Sequence, residues 1–277
     1  YIYMKTIIFV WTQDPFNVRE EEGWNNPNGS YWGIGDIIRG IIYTYQLCKK
    51  NNYKFYIDFQ KHPISKFLID NNYPYFEYVK NNNKIPFIWK ETPDNYIKNN
   101  KSDIILIMHN KKYNKFEPPK EILNYLEKIL TPNQLMNNYI SKITNEYNIP
   151  TNYNIFHFRL GGCEKTKKLY ECDLKIMEKA LNIYVKNKNK NDIIISDTKL
   201  LKEKLLELDN NCKIIDFEDI AHFGISNNDE SIKNTLFEFT LLLNSSSIKT
   251  FSKFSWISGF AKSASIIKNI PLYNLTQ

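Results

Sequence analysis

The chain has 277 residues, 42% of them hydrophobic and 15% aromatic, which suits one large folded domain or two of ordinary size and excludes global disorder. Its formal net charge of +7 raises an anion- or nucleic-acid-binding role. The abundance of Asn, Lys, Ile and Tyr is also what an A/T-biased coding sequence of a large virus or A/T-rich microbe produces, so runs such as Lys186 to Asn191 read as solvated loops and nucleic acid is disfavoured as a partner.

Four cysteines form no C-x-x-C pair and four histidines no H-E-x-x-H pattern, so neither a disulfide framework nor a metal site is expected. No apolar run reaches the ~18 residues of a membrane span. A cytoplasmic protein without a membrane span is the expectation.

Thr6 to Trp11 is β-rich and apolar, a buried first strand. A polar stretch, Trp24 to Ser30, leads into Gly33-Ile34-Gly35-Asp36. Apolar residues then recur at Ile37, Ile38, Ile41, Ile42 and Tyr45, the spacing of one helix face, to about Lys50. Tyr53 to Phe59 is a second strand, followed by a short helix around Ser65 to Asn71. Strand, glycine loop, helix, strand is a βαβ unit and predicts a parallel sheet. Tyr75 to Val79 and Ile85 to Trp89 are shorter strands, and Asp103 to Met108 is a strand buried on both faces. Glu121 to Leu130 and Gln134 to Tyr147 are helices with prolines at their starts. Asn148 to Thr151 closes this half, so a boundary is placed at residue 150.

The second half repeats the alternation. Strands are expected at Asn154 to Arg159, Asp192 to Ile195, Lys213 to Phe217 and Ser247 to Phe251, with a last extended piece at Ile270 to Tyr273. Helices are expected at about Leu169 to Val185, Lys199 to Leu208, Ile232 to Leu243 and Trp256 to Ala264. Two α/β halves facing across a cleft follow, residues 1–150 and 151–277. Ligands in such sheets sit at the carboxyl ends of strands. His157, Arg159, Gly161, Ser196, Asp197, Asp216, Ser252, Lys253 and Ser255 all fall at or just after those ends. Arg159 can hold two phosphate oxygens with its planar fork. Ser252 and Ser255, ahead of a helix, would point hydroxyls at an anion. No Walker loop and no G-x-G-x-x-G is present, which disfavours a P-loop NTPase or ordinary dehydrogenase. An arginine and serines around a nucleotide diphosphate, between two α/β halves, point to a sugar-nucleotide transferase.

Three segments resemble the fucosyltransferase superfamily of GT-B architecture, which includes the α1,2-, α1,6- and protein O-fucosyltransferases. Gly33 to Gly40 is similar to its N-terminal Gly-x-Gly-[Asn/Asp] loop and helix. His157-Phe158-Arg159-Leu160-Gly161-Gly162 is similar to its His-x-Arg-x-Gly-Asp motif. Ser252-Lys253-Phe254-Ser255-Trp256, within Phe237 to Ser258, is similar to its final serine-rich turn. The resemblance implies two Rossmann-like domains, with the acceptor side first and the donor side second. It also implies a GDP-sugar donor (GDP-fucose first), a glycan or protein hydroxyl acceptor, inversion, and no metal or other cofactor. Arg159 would bind the diphosphate and stabilise the leaving group. His157 would position phosphate or ribose, and Asp197 or Asp216 would receive guanine or ribose. Ser252, Lys253 and Ser255, with Ser196 and the glycines Gly33, Gly35 and Gly161, would complete the donor site. Asp36 would take the acceptor hydroxyl's proton. The motif's acid is replaced by Gly162, with Glu164 two residues on.

Structural roles stand beside these. His157 in an apolar strand also reads as a satisfied core histidine. Asp36 reads equally as the N-cap of its helix, and Asp197 as the N-cap of the Lys199 helix. Trp24, Tyr31 and Trp32 floor a sugar site or pack the loop against its own helix. His222 reads as a surface or acceptor-side residue, and Phe237, Phe239 and Leu241 to Leu243 as core. A catalytically silent relative, binding or structural, is the alternative to an enzyme, and a basic anion- or nucleic-acid-binding protein is a third.

Overall fold

The fold is a computed structural model that describes residues 5–12, 32–69, 92–112, 118–161, 173–217 and 228–276. Strand β1 (Thr6–Val10) is buried along its whole length. It is the middle of a parallel sheet of order β2-β1-β3, with β2 at Lys54–Asp58 and β3 at Ile104–Ile107. Ile7 lies opposite both Phe55 and Ile105. An uninterrupted apolar strand is what a central position with both faces covered requires.

Helix α1 (Ile34–Asn51) buries Ile34, Ile37, Ile38, Ile41, Ile42, Tyr45 and Cys48. Asp36 in its first turn and Lys49 and Lys50 in its last match the helix dipole. Asn52, in the left-handed region at φ 54°, closes it while the Tyr53 N–H reaches the Cys48 carbonyl at 2.9 Å. A 3₁₀ turn covers Pro63–Phe67, helix α2 covers Pro93–Asn99, α3 Lys120–Ile129 and α4 Gln134–Glu146.

The second sheet is also parallel, of order β6-β5-β4-β7-β8. Its elements are β4 (Asn154–Arg159), α5 (Leu174–Asn187), β5 (Asp192–Ser196), α6 (Lys199–Leu208), β6 (Lys213–Ile214), α7 (Asp229–Asn244), β7 (Ser247–Ser252), α8 (Gly259–Lys268) and β8 (Leu272–Asn274). Alternation along β4 separates two environments. Phe156 and Phe158 join Met177, Tyr184, Leu201 and Leu205 of α5 and α6. Ile155 joins Phe237, Phe239, Ala261 and Ala264 of α7 and α8. The strand order places the topological switch between β4 and β7, the position beyond whose carboxyl ends sheets of this kind bind ligands.

Among the described residues, all strands before residue 150 lie in the first sheet and all after it in the second. The hydrophobic core is nevertheless continuous across that point, because Ile7, Phe9, Ile37 and Ile41 share a cluster with Phe237 and Ala261. Helix α8 packs on α1 and α3, and α7 on α4 and the 3₁₀ turn. Two glycines meet at the contact of α1 with α8. A Cβ on Gly35 would stand 2.3 Å from the Gly259 carbonyl carbon and 2.6 Å from the Phe260 nitrogen. Only a residue without a side chain allows α1 and α8 to meet there.

Several elements differ from the expectations. The helix around Ser65 to Asn71 is the 3₁₀ turn, started by the His62 ring accepting from the Ile64 N–H at 3.0 Å. The last helix begins at Gly259 rather than Trp256, because residues 253–256 are bends: the Ser252 hydroxyl accepts from the Phe254 N–H at 3.2 Å and turns the chain first. Strand β6 ends at Ile214, so Asp216 and Phe217 lie beyond it. The expected strands Tyr75 to Val79 and Ile85 to Trp89, and Gly162, Glu164 and His222, lie outside the described residues.

Candidate functional site

His157 and Arg159 leave the same face of β4, directly opposite Thr250 and Ser252 of β7. The His157 Nδ1 is 3.0 Å from the Thr250 hydroxyl, and Thr250 is fully buried. Burial, reinforced by the Arg159 cation, pushes the His157 pKa down to about 3. The ring is therefore neutral at physiological pH and offers hydrogen bonds rather than charge. Thr250 was missed in the sequence, because only the strand pairing puts it opposite His157.

Arg159 ends β4 partly exposed and forms an ion pair with Asp197 at the end of β5. The Asp197 carboxylate also accepts from the Leu160 N–H at 2.8 Å and the Gly161 N–H at 3.1 Å. It therefore orders the turn that leaves β4. The α6 helix is instead started by Thr198, without a side-chain cap, so the reading of Asp197 as N-cap is corrected. The Ser196 hydroxyl accepts from the Thr198 N–H at 3.1 Å and shapes the turn beside it.

On the other flank, the Lys253 N–H donates to the Arg159 carbonyl at 3.0 Å, which ties the β7–α8 loop to β4. Ser252 is buried and occupied with its own turn, whereas Ser255 is exposed. Neither hydroxyl stands in the first turn of α8, since Ser258 is its N-cap.

His157, Arg159, Gly161, Ser196, Asp197, Ser252, Lys253 and Ser255 thus gather around the ends of β4, β5 and β7. Asp216 stands apart, past the edge strand β6. Two strand spacings, about 10 Å, separate its strand from β4. Behind it lies a pair that sequence reasoning did not single out. The Lys202 ammonium, 1% exposed, is 3.4 Å from the Asp216 carboxylate and has no hydrogen-bond partner among the described residues. Glu238 of α7 is buried in range of that cation, and burial outweighs it, raising the Glu238 pKa to about 7.

In the first half, the N-cap of α1 is Gly33, whose carbonyl accepts from the Asp36 N–H at 2.9 Å. Asp36 is therefore not the N-cap. It sits in the first turn, half-exposed, paired with Arg39. Arg39 is anchored in turn by its Nε donating to the Asn110 carbonyl at 3.0 Å. Gly35 faces α8 by direct backbone contact, which connects the Asp36 turn to the loop after β7. Trp32 is buried in the core, and its carbonyl accepts from the Trp11 indole at 3.1 Å, so the packing role holds for it. Trp24 and Tyr31 lie outside the described residues. Among the described residues no group of three His, Cys, Asp or Glu side chains could hold a metal ion, and no helix is long and apolar enough to cross a membrane.

No protein-family model and no curated protein matches the sequence. Solved structures do match the fold. An α-1,6-fucosyltransferase, NodZ, solved with GDP-fucose, superposes with a TM-score of 0.54 at 10% identity, over 95% of this chain and 92% of the other. NodZ from Bradyrhizobium gives 0.54 at 9% identity, over 94% and 92%. Arabidopsis thaliana FUT1 in complex with GDP gives 0.56 at 11% identity, over 98% of this chain and 70% of the other. The likeness read from three short segments therefore holds for the fold: the chain has the α/β, GT-B-like fold of NodZ and FUT1.

Proposed function

We propose that this protein is a glycosyltransferase that moves a sugar, fucose first, from a GDP-sugar to a hydroxyl of a glycan or protein acceptor. The observation that carries this is Arg159. It is a cation at the end of a central strand, at the switch point of the second sheet, in a fold shared with enzymes solved with GDP or GDP-fucose. Residues 151–277 would hold the donor and residues 1–150 the acceptor.

Arg159 would grip the diphosphate and stabilise the charge that grows on it as the sugar–oxygen bond breaks, so that no metal is needed. Lys253 and Ser255 would complete the phosphate cradle beside Gly161, whose N–H is held by Asp197, with Gly33 opposite. Ser196, His157, Asp197 and Asp216 would line the way to ribose and guanine. The acceptor oxygen attacks the anomeric carbon from the face opposite the diphosphate, and GDP leaves with the bonding electrons. Configuration inverts, and the acceptor's proton passes to the Asp36 carboxylate. Arg39, anchored on the Asn110 carbonyl, would aim that carboxylate.

A second reading, a catalytically silent relative, is favoured by Gly162 in place of the motif acid and by the engagement of Arg159 with Asp197. Turnover separates the two. Release of GDP from GDP-fucose, with or without added acceptor, supports the enzyme. A protein that binds GDP yet never releases it from GDP-fucose is the silent relative.

A further inference from the structure

The loop between β7 and α8 holds a feature the proposed chemistry has not used. Trp256 is 58% exposed, an unusual state for so large an apolar ring. Its indole is stacked on Phe254 at 4.8 Å between centroids and 16° between planes, and the Lys253 ammonium lies over the same Phe254 ring at 5.0 Å. Stacking of this kind fixes the indole's attitude without burying it.

The loop is tied at both ends to the residues of interest. Lys253 is bonded to the Arg159 carbonyl, and Gly259 touches Gly35, the neighbour of Asp36. Trp256 is three residues from each, so its Cα lies within about 11 Å of both tie points. It stands on the β7 side of Arg159, whereas Asp216 stands on the β6 side. A diphosphate on Arg159 with its base directed towards Asp216 leaves the β7 side for what meets the sugar.

We propose that Trp256, backed by Phe254, is the platform on which a pyranose ring of a glycan acceptor stacks. The C–H face of the ring covers the indole, and its hydroxyls stay at the hydrated rim, one of them within reach of Asp36. This rests on the glycosyltransferase reading and narrows its acceptor to a carbohydrate.

The test is saturation-transfer NMR with the methyl β-glycosides of glucose, galactose and N-acetylglucosamine at saturating GDP. It compares wild type, Trp256→Ala and Trp256→Phe, with GDP affinity measured in parallel. At least one glycoside should show saturated ring protons with wild type. The signal should fall about fivefold in Trp256→Ala and persist in Trp256→Phe, as loss and retention of one stacking contact require. GDP affinity should stay within about twofold in both variants. Equal signals in wild type and Trp256→Ala, or no glycoside signal from a wild type that binds GDP, overturn the platform. A roughly tenfold loss of GDP affinity in Trp256→Ala gives the stack to the nucleobase instead and overturns it as well. Failure of wild type to bind GDP, with the Trp256-dependent glycoside signal intact, removes the donor reading and leaves the platform.

Discussion

Gly35 and Gly259 face each other across the contact between α1 and α8, yet their substitutions should differ sharply. A Cβ on Gly35 would lie 2.3 Å from the Gly259 carbonyl carbon, 2.5 Å from its oxygen and 2.6 Å from the Phe260 nitrogen. Each of these is backbone, which cannot swing aside. Ordinary contact begins near 3.4 Å, so Gly35→Ala must drive the helices apart by about 1 Å, at an overpacking cost of about 2–3 kcal/mol. Spread over a chain of this size, that lowers Tm by about 4–8 °C. A Cβ on Gly259 meets Gly35 at 3.5 Å, an ordinary contact. Gly259→Ala should therefore leave Tm within about 2 °C, helped by alanine's better helix propensity. Thermal melts followed at 222 nm read both. Equal Tm values for wild type and Gly35→Ala would refute the helix contact as drawn, and so would a larger loss for Gly259→Ala than for Gly35→Ala.

The remaining predictions concern charge and chemistry. Glu238 has a folded pKa raised by burial to about 7, so the folded state holds its proton more tightly than the unfolded state does, and stability is lost as pH rises from about 4.5 through 7. Glu238→Gln should remove that loss, gaining denaturant midpoint relative to wild type at pH 8 but not at pH 5; the same difference at both pH values would contradict the burial argument. Asp197→Ala leaves the Leu160 and Gly161 N–H groups without their acceptor, a loss of about 1–3 kcal/mol that amide exchange at those two positions should report. Asp36→Asn should leave GDP affinity within about twofold while cutting sugar transfer about 100-fold or more, the range of a lost general base. Unchanged transfer would leave Asp36 as the partner of Arg39 and nothing further.

Alternation of β-rich and helix-periodic segments was enough to read both parallel sheets, because buried parallel strands carry continuous apolar runs such as Ile7 to Val10 in β1 and Ile193 to Ile195 in β5. The place of Arg159 at the end of β4 was legible for a related reason, and a charge that ends an apolar strand needs a partner. That partner was not legible, since Asp197 is 38 residues away in sequence and meets Arg159 only because β4 and β5 are neighbours. The same holds for Thr250 beside His157. Gly35 was expected in the donor site, whereas its missing side chain makes room for the backbone of α8, a long-range fact that no local pattern carries. The start of α8 was misplaced because Ser255-Trp256 has the look of a helix entry. The Ser252 hydroxyl's bond to the Phe254 N–H competes with the helix and delays it to Gly259. That delay leaves Trp256 in a loop, exposed.

The claim that the donor diphosphate is held at the ends of β4 and β7 is tested most directly by calorimetric titration of GDP into wild type and Arg159→Ala. Saturable binding should appear in wild type and weaken by roughly 10–150-fold in the variant, the worth of a charge-assisted hydrogen bond of about 1.5–3 kcal/mol. No saturable binding at millimolar GDP, or binding that Arg159→Ala leaves undiminished, would contradict it.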